Sequence, residues 1–154
     1  MITVGGKAPD FSLKDQNKKT VRLSKLQGKK VLLSFRPLAW TPVCRDQMKS
    51  LDENYRRFEA LNTVALGIGV DSVPSNKAWA DMMEIEHTSL LSDFWPHGEV
   101  AKFYNVFDEE NGFAQRANII IDENQRVIFA RTYPTSELPD IEEVIKFLGG
   151  KQAK

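Results

Sequence analysis

Short apolar runs alternate with amphipathic stretches along the chain. Val31-Leu32-Leu33-Ser34-Phe35 is a nearly continuous apolar run, and Pro37 follows it. It predicts a buried strand. From 42 to about 61, Met48, Leu51, Tyr55, Phe58 and Leu61 recur at spacings of three and four. Lys49, Asp52, Glu53, Arg56 and Arg57 fall on the opposite side. This is the pattern of one long amphipathic helix, with Thr41 as its N-cap and Pro42 in the first helical position. In Val64-Ala65-Leu66-Gly67-Ile68-Gly69-Val70 the large residues share one face at period two. Ala65, Gly67 and Gly69 share the other face and leave room for a closely packed helix.

The alternation continues. Residues 74–83 read as a helix, Leu90-Leu91 as a short strand and 99–104 as a short helix. Strands are expected at 117–121 and 126–131, joined by the turn Asp122-Glu123-Asn124-Gln125. Pro139 opens a last helix with Ile141, Val144, Ile145 and Leu148 on one face. Near the N-terminus, Phe11-Ser12-Leu13 and Val21-Arg22-Leu23 flank a polar stretch, 14–20, and suggest a hairpin with a solvated turn. Strands alternating with helices indicate an α/β fold. The expected architecture is a central mixed sheet with helices on both faces and an N-terminal hairpin appended to it.

Length and charge narrow the picture. A chain of 154 residues suits a single domain, expected over 1–148 with 149–154 as a flexible C-terminal tail. Twenty-one basic residues balance 21 acidic ones, which disfavours nucleic acid and anionic membranes as partners. The N-terminal residues lack a basic stretch followed by an apolar one, and no apolar run reaches the roughly 18 residues of a membrane span. A cytoplasmic location is the expectation. One cysteine and two histidines make neither a disulfide framework nor a good zinc site. His87 and His97 read as structural or surface residues. Asp108-Glu109-Glu110 reads as an exposed acidic loop without metal-loop spacing. Cys44 is left as either an inert buried thiol or a reactive one.

The segment Phe35-Arg36-Pro37-Leu38-Ala39-Trp40-Thr41-Pro42-Val43-Cys44 joins the first buried strand to the long helix. Cys44 falls in the first helical turn, where unsatisfied N–H groups and the helix dipole stabilise an anion. Thiolate is the nucleophilic form of cysteine, so this position favours the reactive reading. Thr41 can bring its hydroxyl beside the sulfur while capping the helix. Pro37 and Pro42 stiffen the loop.

Pro37-x-x-x-Thr41-x-x-Cys44 resembles the active-site signature of the peroxiredoxins, the alkyl hydroperoxide reductase/thiol-specific antioxidant family. Gly6-Lys7-Ala8-Pro9-Asp10-Phe11 is similar to the family's opening motif. Leu91-Ser92-Asp93-Phe94-Trp95-Pro96-His97-Gly98 and Tyr104-Asn105-Val106-Phe107 resemble its E-type one-cysteine branch, and Arg116 matches the family's second active-site arginine. The resemblance implies a thioredoxin-like fold that reduces peroxides. Cys44 would be the peroxidatic cysteine, passing through sulfenic acid. Thr41 would bond the sulfur and the peroxide, Arg116 would stabilise negative charge, and Pro37 would shield the sulfur. Backbone N–H groups of Val43 and Cys44 would hold the peroxide oxygens. No metal, haem or flavin is implied, because sulfur carries the two electrons. With no second cysteine, an external thiol must resolve the sulfenic acid: thioredoxin, glutaredoxin, mycoredoxin or a low-molecular-weight thiol.

The sequence departs from the family at Gln47, where many relatives carry Glu, and at Arg36 and Arg45. These two cations either act on Cys44 and on reductant docking or are solvated surface charges. Trp40, Trp79, Phe94 and Trp95 are either core residues or part of a homodimer interface of the kind the resemblance implies. Two other functions share the strand–Cys–helix layout: a monothiol thiol–disulfide oxidoreductase and a redox-responsive binding module.

Overall fold

The structure is a computed structural model and describes residues 2–150. In chain order it contains β1 (Ser12–Lys14), β2 (Thr20–Arg22), β3 (Lys30–Phe35), α1 (Pro42–Glu53), α2 (Tyr55–Ala60), β4 (Thr63–Gly69), α3 (Val73–Met83) and β5 (Ser89–Ser92). Then follow α4 (Glu99–Phe103), β6 (Phe107–Asp108), β7 (Phe113–Ala114), β8 (Arg116–Ile121), β9 (Val127–Tyr133) and α5 (Ile141–Leu148).

One sheet runs β2-β1-β5-β4-β3-β8-β9. β4 is parallel to β3 and β5, whereas β8 pairs antiparallel with both β3 and β9. β3 is therefore an interior strand, covered on both faces, which explains why its sequence is an apolar run rather than an alternation. On one face Leu33, Phe35, Leu66, Ile68 and Ile119 pack with Val100 and Tyr104 around α4. On the other, Leu32 and Ile120 pack with Met48, Leu51, Phe58, Trp79 and Val144 from the remaining helices. The expected mixed α/β architecture, with helices on both faces, is what forms. The N-terminal hairpin joins the sheet through Lys14, which pairs with Ser92 of β5. Gly67 meets its expected constraint, because a Cβ there would collide with Met48 Sδ of α1.

Several expectations are corrected. The long helix breaks at Asn54, whose side-chain amide donates to the Ser50 carbonyl at 2.8 Å and competes with the backbone ladder. The last helix begins at Ile141 with Asp140 as its cap, the carboxylate accepting from the Glu142 N–H at 3.0 Å. Pro139 lies before it. The stretch 14–20 is not wholly solvated: Asp15 and Gln16 are buried. Gln16 Nε2 donates to the Thr88 carbonyl at 2.9 Å and its Oε1 accepts from the Leu90 N–H at 2.7 Å, which pins the hairpin to β5. The hairpin β6–β7 was not expected from the sequence. The tail expected from 149 lies partly outside the described residues, at 151–154. Among the described residues, no helix is long and apolar enough to cross a membrane.

Candidate active site

β3 is an interior strand that ends at Phe35, so its C-terminal end is fixed by pairing on both sides. The loop after it turns back into α1. Cys44 is the third residue of that helix and is 1% exposed. Antiparallel pairing of β8 with β3 brings the start of β8 to the same end of the sheet, where Ala117 faces Phe35. Arg116, the first residue of β8, thereby reaches the sulfur. Its Nη1 lies 3.3 Å from Cys44 Sγ. The same nitrogen donates to Gln47 Oε1 at 2.7 Å, while Nε and Nη2 donate to the Thr135 carbonyl at 3.1 and 2.6 Å.

Cys44 lines a cleft together with Pro37, Leu38, Thr41, Pro42 and Val43 of its own segment and with Asn111, Phe113, Arg116 and Thr135. The structure thus brings together Pro37, Thr41, Val43, Cys44 and Arg116. Thr41 occupies the N-cap position with extended backbone, but its hydroxyl does not cap the helix. It donates instead to the Leu38 carbonyl at 2.9 Å. This bond closes the loop on itself and leaves the Thr41 oxygen lone pairs available to an incoming donor. Pro42 has no N–H, and those of Val43 and Cys44 precede the first intrahelical bond, donated by Arg45 to the Thr41 carbonyl.

The two additional arginines differ from each other. Arg45 is exposed and pairs with Asp46. Arg36 is fully buried, which excludes the surface reading for it. Its Nη1 lies 2.7 Å from Asp71 Oδ2, its Nη2 donates to Asn76 Oδ1 at 2.9 Å, and its guanidinium lies 4.8 Å from the Trp79 ring centroid. Burial lowers the Arg36 pKa, and the Asp71 carboxylate works against that shift. The same Asp71 oxygen accepts the Ala39 N–H at 2.8 Å, so one carboxylate ties the active-site loop to the segment after β4. Trp79 is core, whereas Trp40, Phe94 and Trp95 are exposed. His87 stacks on Tyr55 and His97 bonds the Gly112 carbonyl, and neither histidine lines the cleft.

Residues 4–130 match the family model described as the AhpC/TSA family. The chain belongs to the AhpC/TSA family. It is a peroxiredoxin, a thiol peroxidase. Alkyl hydroperoxide reductase E of Mycobacterium tuberculosis is 40% identical over 141 residues, covering 91% of this chain and 92% of that one. Peroxiredoxin 2 of Thermoplasma acidophilum is 37% identical over 155 residues, covering 97% of this peroxiredoxin and 76% of the relative. Among solved structures, the reduced 2-Cys peroxiredoxin of Plasmodium vivax superposes with a TM-score of 0.88 at 29% identity, over 97% of this chain and 82% of that one. Enterococcus faecalis AhpC gives a TM-score of 0.90 at 26% identity, over 99% and 94% of the two chains.

Sequence reasoning missed Asp71, Asn111, Phe113 and Thr135 as parts of this site. Each reaches it only through long-range folding, and no local motif marks any of them.

Proposed function

We propose that this peroxiredoxin reduces hydrogen peroxide and organic hydroperoxides at Cys44 by a one-cysteine cycle. The observation that carries the reading is the Arg116 guanidinium 3.3 Å from Cys44 Sγ, both lining one open cleft. A cation at that distance favours negative charge on sulfur and on the oxygen that leaves. The thiolate attacks the terminal peroxide oxygen, a new S–O bond forms and the O–O bond breaks. The departing oxygen takes a proton and leaves as water or an alcohol, and the sulfur becomes sulfenic acid. Thr41 Oγ1 accepts from the peroxide hydroxyl, the N–H groups of Val43 and Cys44 donate to its oxygens, and Pro37 screens the sulfur from water.

The sequence holds one cysteine, so the electrons that restore it come from an external thiol. One thiol forms a mixed disulfide with release of water, and a second releases Cys44 with its proton. Thioredoxin, glutaredoxin or a low-molecular-weight thiol supplies this chemistry, and a reducing cytoplasm is the compartment that fits it. A homodimer that uses exposed Leu38, Trp40, Phe94 and Trp95 at its interface belongs to the same reading. Sedimentation of the reduced protein and of Trp95→Glu tests it: the wild type sediments as a dimer and the variant as a monomer.

Rapid mixing of reduced protein with peroxide tests the catalytic proposal, with tryptophan fluorescence as the signal because Trp40 is in the active-site loop. Dimedone adduct formation at Cys44, absent in Cys44→Ser, is the expected product. A thiol consumed no faster than free cysteine at the same pH overturns the assignment.

A further inference from the structure

Behind Cys44, on the sheet face that α1 covers, three buried polar side chains form a directional chain ending on Arg116. Ser34 of β3 and Asn118 of β8 are register partners across the central antiparallel pair. Gln47 lies one helical turn after Cys44. All three are within 3% exposure. Ser34 Oγ donates to Asn118 Oδ1 at 2.8 Å. Gln47 Nε2 donates to Ser34 Oγ at 2.7 Å and to the Phe35 carbonyl at 3.1 Å. Gln47 Oε1 then accepts from Arg116 Nη1 at 2.7 Å, the nitrogen that also faces the sulfur.

The polarity of every link is determined. A backbone carbonyl only accepts, so the Gln47 NH2 must face Phe35 and its oxygen must face Arg116. Ser34 spends its one proton on Asn118, which turns a lone pair toward Gln47. A flipped amide would set two oxygens against each other at Phe35 and present an NH2 group to a guanidinium. Among the described residues, no carboxylate lies within ion-pair distance of Arg116. Its partners, Gln47 and the Thr135 carbonyl, are neutral dipoles.

We propose that Ser34 and Asn118 are positioning residues that lock the Gln47 amide so that a neutral acceptor holds Arg116 against the Cys44 sulfur with its charge undiminished. The proposal rests on the reading of Cys44 as the reacting thiol, and it assigns a role to two residues remote from the cleft. A neutral relay orients the guanidinium without cancelling the charge that the sulfur and the leaving oxygen need.

The test compares Ser34→Ala, Ser34→Thr, Asn118→Ala and, as a packing control on the same face, Leu32→Val. Two readouts are taken on reduced full-length protein: the pH dependence of Cys44 alkylation by iodoacetamide, and the second-order rate constant with hydrogen peroxide. Ser34→Ala and Asn118→Ala are expected to slow the peroxide reaction about fivefold, the equivalent of one hydrogen bond, and to move the alkylation profile to higher pH. Ser34→Thr keeps the hydroxyl and stays within about twofold of wild type, on the same hydrogen-bond arithmetic. Leu32→Val loses stability and leaves the alkylation profile in place. Wild-type rates and profiles in both alanine variants overturn the proposal, as does an equal shift in Leu32→Val. If Ser34→Ala does not fold, Asn118→Ala carries both readouts alone. Peroxide reacting with wild type no faster than with free cysteine refutes the proposed function instead, while the alkylation profiles still decide the positioning role.

Discussion

Replacing Asp71 with alanine removes the countercharge of a guanidinium that has no access to solvent. The Arg36 side chain is 0% exposed and that of Asp71 15%. Arg36 retains only the neutral Asn76 oxygen and the Trp79 ring, and its Nε already lacks a hydrogen-bond partner. Removing one member of a buried ion pair costs about 3–5 kcal/mol, because the remaining charge is left desolvated. The Ala39 N–H also loses its acceptor, which adds about 1 kcal/mol. The sum, about 4–6 kcal/mol, is comparable with the whole stability of about 5–15 kcal/mol of a typical domain. With a urea slope of about 2 kcal/mol/M, the unfolding midpoint of Asp71→Ala should fall by about 2–3 M. The double variant Arg36→Met with Asp71→Asn replaces both charges and should recover most of that loss, because a well-packed neutral pair avoids the desolvation penalty. Equilibrium urea unfolding followed by tryptophan fluorescence measures both. A loss below about 1 kcal/mol in Asp71→Ala, or a double variant as unstable as the single one, would refute the argument from buried charge.

Asp93 is buried before α4, and burial raises its pKa to about 6 despite two bonds accepted from the Val100 and Ala101 N–H groups. The folded state then binds the proton more tightly than the unfolded chain, so this group's contribution to stability falls by about 3 kcal/mol as pH rises from about 4 to 7. Urea unfolding of wild type and Asp93→Asn at both ends of that range should show this decline in the difference between the two proteins. Asp52 behaves oppositely: burial raises its pKa, but bonds from the Glu86, His87 and Thr88 N–H groups outweigh this and hold it below the usual value. Its contribution is present above about pH 4 and is lost on acidification, a dependence that Asp52→Ala should abolish in the same assay. Gly67→Ala forces the buried Met48 side chain of α1 out of its position against β4 and should cost about 1–3 kcal/mol by thermal unfolding, and the same substitution made in a Met48→Ala background should cost less.

The parts of the fold legible in the sequence are those where one face of one element decides the pattern. The buried β3, the glycine-bearing face of β4 and the Cys44 helix start are all local signals. The break at Asn54 was not legible, because apolar spacing continues across it through Tyr55 and Phe58 while the interruption comes from a side-chain bond to Ser50. Gln16 looked like part of a polar turn, yet its amide bonds the backbone of Leu90 in β5 and of Thr88 just before it, 74 and 72 residues away. At the site, the helix-start position of Cys44 and the neighbouring Thr41 are local signals, whereas the roles of Pro37 and Arg116 come from the resemblance to the family. The bond that Thr41 makes to Leu38 is legible in neither, because the residue type at an N-cap leaves open which backbone group the hydroxyl meets.

The sequence offers three cations for Cys44, Arg36, Arg45 and Arg116, and the fold puts Arg116 first among them. Arg45 points into solvent, where water and its Asp46 partner screen it. Arg36 is buried, but Asp71 at 2.7 Å makes the pair a dipole whose field decays faster than that of a charge. Arg116 alone is buried, touches the sulfur and has only neutral partners in the ion-pair range. The ordering has a direct consequence for exchange of charge. Arg45→Ala should leave the rate of Cys44 alkylation at pH 7 within about twofold, as expected for a screened surface charge. Arg116→Met should slow it by about tenfold or more, since a buried charge-assisted contact is lost. Equal effects from the two substitutions would mean that net surface potential, rather than the guanidinium held by Gln47, governs the thiol.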